Sequence, residues 1–436
     1  MKQTLAALFF ALILPSLSVH AQESALYFPP LAGNTWSELT PEQTGFCAHR
    51  IDSLYSFLES TDTKSFILLQ DGRIALEKYF GTFTRDSFWY WASAGKSLSA
   101  FLVGQAQEEG WLDINDPVSD WLQPGWTTCP PDKEALITVR HQLTMTTGLE
   151  DNVPDDNCTS PNCLTYKADA GTRWAYHNAP YHLVHDVLES ATGTSLQLFT
   201  KTRLLDPTGM KGLWINHIQY GRARDMARYG LLQLANGVWD GDTLLHDMEY
   251  FQEMHTPSQD LNKSYGYLWW LNGQESLMMP GVQWVIPGML VPSAPPDMYA
   301  ALGKNDQKIH VVPSKKWVIV RQGNSAEVSP VPVVFDRMLW DYLNELTCMS
   351  ATKENNPNIS IETNLLGDSW NISSDIPVKS LEIFSVTGTL TGRQWWPVAC
   401  PTIRMAAPAL PTGYYLLRIT LNDGQTVTRK AFKISR

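Results

Sequence analysis

The order of hydrophobic patterns along the 436-residue chain predicts an α+β fold: an antiparallel sheet flanked by helices, an inserted helical subdomain, and a small C-terminal β-sandwich. Three observations lead there. Strand-like runs occur near both ends of the first 349 residues, helix-period runs lie between them, and a polar break sets off a tail that holds only short strand-like runs.

Taken in order, residues 48–58 have helical character. The apolar runs 66–69 and 74–80 flank Asp71 and Gly72, a hairpin signature. Residues 93–109 place Leu98, Phe101, Leu102 and Ala106 at helical spacing and stop at Gly110, so Ser93 stands at a helix start. Helical patterns recur at 179–192 and 223–235, strand-like runs follow at 298–302, 309–312 and 317–321, and 333–346 reads as a closing helix. A sheet built from both ends of this part, with helices between, is the simplest arrangement of that order. Residues 350–358, with Lys353, Glu354, Asn355, Asn356 and Pro357, sustain neither period and read as a linker. Beyond it the runs 381–386, 414–420 and 426–434 are separated by Gly388, Gly413 and Asn422, Asp423, Gly424, which predicts the sandwich over 359–436.

Composition narrows the function. With 33 Lys plus Arg against 44 Asp plus Glu, the net charge of -11 disfavours nucleic acid as a partner. At 44% hydrophobic and 18% charged residues the chain is globular, and six cysteines are too few for a disulfide scaffold. Lys2, the apolar run 5–17 and the ending Val19, His20, Ala21 read as a secretory signal over 1–21, because the run is shorter than the ~20 residues that span a bilayer. Export with no transmembrane segment after cleavage is therefore expected, to the cell surface or medium, or to the periplasm if the tail is not a sorting signal. An oxidising compartment makes a bridge between Cys158 and Cys163 expected, in a polar loop with Asp155, Asp156, Asn157, Pro161 and Asn162. Pairings among Cys47, Cys129, Cys348 and Cys400 stay open at this level.

The chemistry centres on Ser93, Ala94, Gly95, Lys96. Positions three apart at a helix start share a face, so the lysine amine can reach the serine hydroxyl. A free serine is a poor nucleophile; beside a desolvated amine of lowered pKa, at a helix N-terminus, it can lose its proton. The spacing alone is weak, since Ser350 and Lys353 repeat it in the linker, and an N-capping serine with a solvated lysine is the plain alternative. The context of Trp89, Tyr90, Trp91 and Ala92 before it and an apolar helix after it favours the catalytic reading. Tyr176, His177, Asn178 supplies a second element, with a phenol and a carboxamide pointing one way if extended; Tyr342, Leu343, Asn344 repeats it inside a helical pattern, where such positions diverge.

With these motifs the chain resembles the serine β-lactamase and penicillin-binding protein superfamily, in particular class C β-lactamases, family VIII esterases and 6-aminohexanoate-dimer hydrolases. The stretches "EEGWLDINDPVSDWL", "ITVRHQLTMTTGLEDN", "DPTGM" and "YGYLWWLNG" are similar to that group in the expected order, and the resemblance covers about residues 39–346. It implies a β-lactamase/transpeptidase-like fold over 22–349, Ser93 as acylated nucleophile, Lys96 and Tyr176 as a coupled base pair, and Asn178 as a contact to the substrate amide and to Lys96. The third family motif, Lys-Thr-Gly or His-Thr-Gly, is missing in that form. Ala301, Leu302, Gly303 is the best match in order, which would make Gly303 the point of substrate approach and the N–H groups of Lys304 and Ser93 the oxyanion hole. Ala301 cannot bind a substrate carboxylate as that motif's cation does.

The expected activity is therefore a serine hydrolase, acting without cofactor or metal on a small amide or ester. Two alternatives remain: a β-lactamase or D,D-carboxypeptidase in which Lys304 or Arg321 replaces the missing cation, and a non-catalytic penicillin-binding-like module. His141, His177, His182 and His185 form no recognisable metal motif. Trp269 and Trp270 precede the third motif as candidate walls of an acyl pocket. The tail, with "LEIFSVTGTLTG" and "LPTGYYLLRITLNDGQTVTRKAFKISR", resembles the C-terminal sorting domain of type IX secretion, which implies that secretion machinery as a partner. A carbohydrate-binding sandwich using Trp395 and Trp396 is the alternative.

Overall fold

A computed structural model of the chain describes residues 26–326, 333–348, 359–363, 369–386, 388–406, 410–424 and 426–433. It divides into two compact units, Met1–Thr347 and Cys348–Arg436. The expected signal over 1–21 and the linker over 350–358 lie outside the described residues.

The first unit opens with helix α1 (Ala48–Ser60) and the expected hairpin, β1 (Thr63–Gln70) with β2 (Arg73–Tyr79). Its turn needs Gly72, since φ is 79° and a Cβ there would lie 2.0 Å from the Tyr27 carbonyl oxygen. A single turn of 3₁₀ helix, Ala92–Gly95, leads into α2 (Lys96–Glu108). Then come α3 (Asn178–Thr192), the short hairpin β3 (Gly212–Ile215) with β4 (Ile218–Gly221), and α4 (Ala223–Leu234). The unit closes with strands β5 (Trp270–Leu271), β6 (Tyr299–Gly303), β7 (Gln307–Val312) and β8 (Trp317–Gly323), and helix α5 (Val334–Asn344).

Six of these strands form one antiparallel sheet in the order β2-β1-β8-β7-β6-β5, so the two ends of the unit pair at its centre. Ile67 opposes Val320, and Val320 opposes Ile309. Both faces are covered. Trp317 packs edge-on against Phe46 and stacks with Trp340, while Phe57 of α1 stacks on Phe335 and Tyr342 of α5. Neighbouring Val318 points the other way, into α4, where a Cβ on Gly230 would meet its Cγ1 at 2.4 Å. This double burial leaves every residue of β7 and β8 buried, so neither strand alternates as a half-exposed one does.

Two buried polar residues of that sheet reach helix α5. Lys308 donates to Asp336 at 2.7 Å, and His310 lies 2.7 Å from the other Asp336 oxygen, pinning α5 to β7.

The C-terminal unit is all β: β9 (Ile359–Thr363), β10 (Ser369–Ser385), β11 (Leu390–Ala406), β12 (Gly413–Leu421) and β13 (Thr426–Lys433). The strands make one continuous sheet curled into a half-barrel rather than two separate sheets. The 17-residue β10 pairs with β9 in its first part and β12 in its second, with a register break between Ser373 and Val378, while β11 runs along its other edge. Trp370 and Ile372 from before the break share a core with Leu381, Ile383, Leu417 and Ile419.

The bridge expected between Cys158 and Cys163 is present. Cys47 and Cys348 are also oxidised, and Cys129 and Cys400 are free thiols.

Candidate active site

Ser93 lies in the 3₁₀ turn ahead of α2, one residue after Ala92, whose φ of 49° puts a non-glycine residue in the left-handed region. The turn is anchored by Trp91 N–H donating to Gln219 O at 2.8 Å and Ala94 N–H donating to Trp91 O at 3.1 Å. Lys96 follows as the first residue of α2 and is 4% exposed.

The Lys96 amine donates a 2.8 Å hydrogen bond to Asn178 Oδ1. It sits 4.0 Å from the ring centroid of Tyr181 and 5.4 Å from that of Tyr176. Burial lowers its pKa to about 7, against an opposing pull from the Asp156 carboxylate. Tyr176 lines the cleft together with Ser93 and is enclosed by Trp174, Tyr265 and a stacked Trp270. Burial pushes its phenol well above the ordinary tyrosine range, the Ser93 hydroxyl only partly offsetting this. Tyr176 thus holds its proton at neutral pH, which separates the two members of the expected base pair: the amine can accept a proton and the phenol can pass one on.

Two cavities meet at Ser93 and Tyr176. One, of about 390 Å³, is lined on its apolar side by Trp270, Met279, Pro280, Leu302 and Val333. The other, of about 850 Å³, gathers the charged and titratable side chains, with Lys96, Asp151, Asp156, Asn178, His182 and His217 among its walls. Trp269, the other tryptophan expected to line an acyl pocket, is fully buried against Tyr229 and Tyr299 instead. Adjacent residues of an extended segment face opposite ways, so only one of the pair can reach the cleft.

Gly303 ends β6 directly against the Ser93 turn, where a Cβ would lie 2.5 Å from Trp91 O and 3.0 Å from Ala94 N. Asn305 and Asp306 then turn the chain with φ of 60° and 57°. That turn is held from inside: Arg321 Nη1 donates to both their carbonyls at 3.1 and 2.9 Å, and Gln307 Nε2 donates to Asn305 O at 2.7 Å. Lys304 lines both cavities with an exposed side chain.

Arg321 was a candidate to replace the missing motif cation, and its placement rules that out. It is fully buried, and its remaining nitrogens donate to Thr63 Oγ1, Thr61 O and Asn324 O. Its charge organises the turn and does not face the cleft.

His177 stands buried at the N-cap position of α3 without a side-chain capping bond, and His182 stacks on His217 at 4.5 Å. Among the described residues no group of three or more His, Cys, Asp or Glu side chains could hold a metal ion. Tyr181, Asp156, Met279 and His217 are site residues that the motif reading missed. Tyr181, five residues after Tyr176, lies on α3, where a signal was present in the helical pattern; the others reach the site from loops.

The comparisons with known proteins agree with this architecture. The Beta-lactamase family model matches residues 61–331. A Bacillus subtilis (strain 168) protein provisionally named penicillin-binding protein PbpX is 25% identical over 161 residues, which span 33% of this chain and 39% of that relative's length. Two solved structures share the fold at 17% identity and a TM-score of 0.56. One, from Bacillus anthracis and provisionally named a 6-aminohexanoate-dimer hydrolase, is matched over 91% of its length and 74% of this chain. The other, from Bacteroides dorei DSM 17855 and provisionally named a β-lactamase, is matched over 99% of its length and 69% of this chain. With the family model covering well over half of its residues, the chain belongs to the β-lactamase family.

Proposed function

We propose that this protein is an exported serine hydrolase that cleaves an ester or amide through an acyl-enzyme on Ser93. The observation that carries the reading is the buried Lys96 amine, held by Asn178 at 2.8 Å in the cavity that Ser93 and Tyr176 also line, where burial lowers its pKa to about 7. As Ser93 Oγ bonds to the substrate carbonyl carbon, its proton passes to Lys96 Nζ, directly or through the Tyr176 hydroxyl. The oxyanion is received by the backbone N–H groups of Ser93 and of Lys304, which follows β6. The bond to the leaving alcohol or amine then breaks, and that group takes the proton back from Lys96. Water repeats the sequence on the acyl-enzyme.

The apolar cavity suits an acyl chain, and β6 offers no cation where the family motif carries one, because Ala301 is 1% exposed and apolar. Acetyl and butyryl nitrophenyl esters should therefore be hydrolysed faster than nitrocefin; the reverse ranking would contradict this. A second reading, a β-lactamase or D,D-carboxypeptidase, draws on the exposed Lys304 beside Ser93, and faster cleavage of a cephalosporin or of acyl-D-alanyl-D-alanine supports it.

For the half-barrel tail we propose a type IX sorting role. No helix among the described residues is long and apolar enough to cross a membrane, and the disulfides are compatible with export. The mass of the secreted protein tests this, since a retained tail would count against it.

A further inference from the structure

Asn178 is held at both ends. Its Oδ1 accepts from Lys96 Nζ at 2.8 Å, and its Nδ2 donates to Asp156 Oδ2 at 2.9 Å. The two ends of a carboxamide are chemically opposite, so a half-turn about its terminal bond would aim N–H donors at the lysine amine. Lys96 alone cannot prevent that turn once it is neutral, because a neutral amine both donates and accepts. A carboxylate accepts only, so Asp156 can pair with the NH₂ end and no other.

Asp156 is itself fixed. Its backbone carbonyl accepts from Ala179 N–H at 2.8 Å, tying the loop to the start of α3, and its Oδ1 accepts from Asn157 Nδ2 at 2.9 Å. Two residues later Cys158 is bridged to Cys163. Nearby Asp151 has a different task, being paired with Arg173 at 2.6 Å.

We propose that Asp156, on the disulfide-closed loop, is a positioning residue that fixes the orientation of the Asn178 amide and through it the Lys96 amine. The proposal rests on the reading of Ser93 and Lys96 as nucleophile and base. A second effect follows from its charge. Lys96 faces the rings of Tyr176 and Tyr181, the Asn178 amide, and the imidazoles of His182 and His185, which burial keeps neutral; Lys304 lines the same cavity. Among these groups Asp156 is the carboxylate that favours the protonated amine.

The test is a kinetic cycle on nitrophenyl butyrate with the full chain and the variants Asp156→Asn, Asp156→Ala, Asn178→Ala and the Asp156→Ala/Asn178→Ala double, with Ser93→Ala as the control. Asp156→Ala should lower kcat about 10-fold with KM changed less than about 2-fold, and should cost less than about 2-fold more when Asn178 is already Ala. Asp156→Asn can still accept from Asn178 Nδ2 but can equally donate to a turned amide, so it should lower kcat, by less than Asp156→Ala does, while the acidic limb of kcat/KM moves to lower pH. Independent, multiplicative losses, or an unmoved limb in Asp156→Asn, would overturn the proposal. Failure of the underlying reading looks different: Ser93→Ala would retain wild-type turnover.

Discussion

The Lys96 amine and the Asn178 amide oxygen meet at 2.8 Å between α2 and α3, with the ring of Tyr181 4.0 Å from the same nitrogen. One amide and an aromatic face replace only part of the water a lysine gives up on burial, so the uncharged form gains ground. That balance places an amine of pKa about 7 in the cavity that Ser93 lines.

The pH profile should report it. If Lys96 acts as the proposed base, the active form has it deprotonated, so kcat/KM should rise with pH through a single limb near 7 and level off above it. The Tyr176 phenol, pushed upward by burial, should add no limb in the neutral range. Tyr176→Phe should lower kcat about 100-fold without moving the limb. A limb above about pH 9 that disappears in Tyr176→Phe would make the phenolate the base instead.

The same desolvation weakens the fold. A lysine whose pKa falls from 10.5 to about 7 binds fewer protons folded than unfolded, so stability from this group increases as pH rises between those values. Lys96→Met should therefore raise Tm by about 5 °C at pH 7 while abolishing turnover. The gain should be fully present below pH 7 and fade as pH approaches 10.5. Thermal unfolding of both proteins across that range checks the sign; a pH-independent difference would remove the desolvated amine from the account.

Gly303 sets how closely β6 approaches the nucleophile. An added Cβ meets backbone atoms of Trp91 and Ala94, which cannot move aside without displacing the Ser93 turn. Gly303→Ala should lower kcat about 100-fold, with far-ultraviolet circular dichroism unchanged. Wild-type kcat in this variant would separate the third motif from catalysis.

Much of the fold was legible because its signals are local. The hairpin at Asp71 and Gly72, the helix that follows the Ser93 turn and starts at Lys96, and the strand-like runs of β7 and β8 each follow from a turn residue or a pattern within a few positions. Ser93 sits on the turn that leads into one such element and Lys96 at its first residue, and Tyr176 and Asn178 likewise straddle the start of another. What was hidden depends on distant pairing. Strand β11 is an edge strand carrying Pro397 and Pro401, with most of its side chains exposed, so no alternation marks it. Arg321 lies in an otherwise apolar strand, and only the carbonyls it reaches, from Thr61 to Asn324, reveal that it braces a turn. Asp156 looked like one more polar loop residue until the chain brought it against Asn178.

The central claim is that Ser93 becomes covalently acylated. The most direct measurement is intact and peptide mass spectrometry of the protein quenched during turnover of nitrophenyl butyrate, alongside Ser93→Ala. The account expects one butyryl group on the peptide containing Ser93 and none in the variant. Equal labelling of both proteins, or turnover in the variant with no adduct on the wild type, would contradict it.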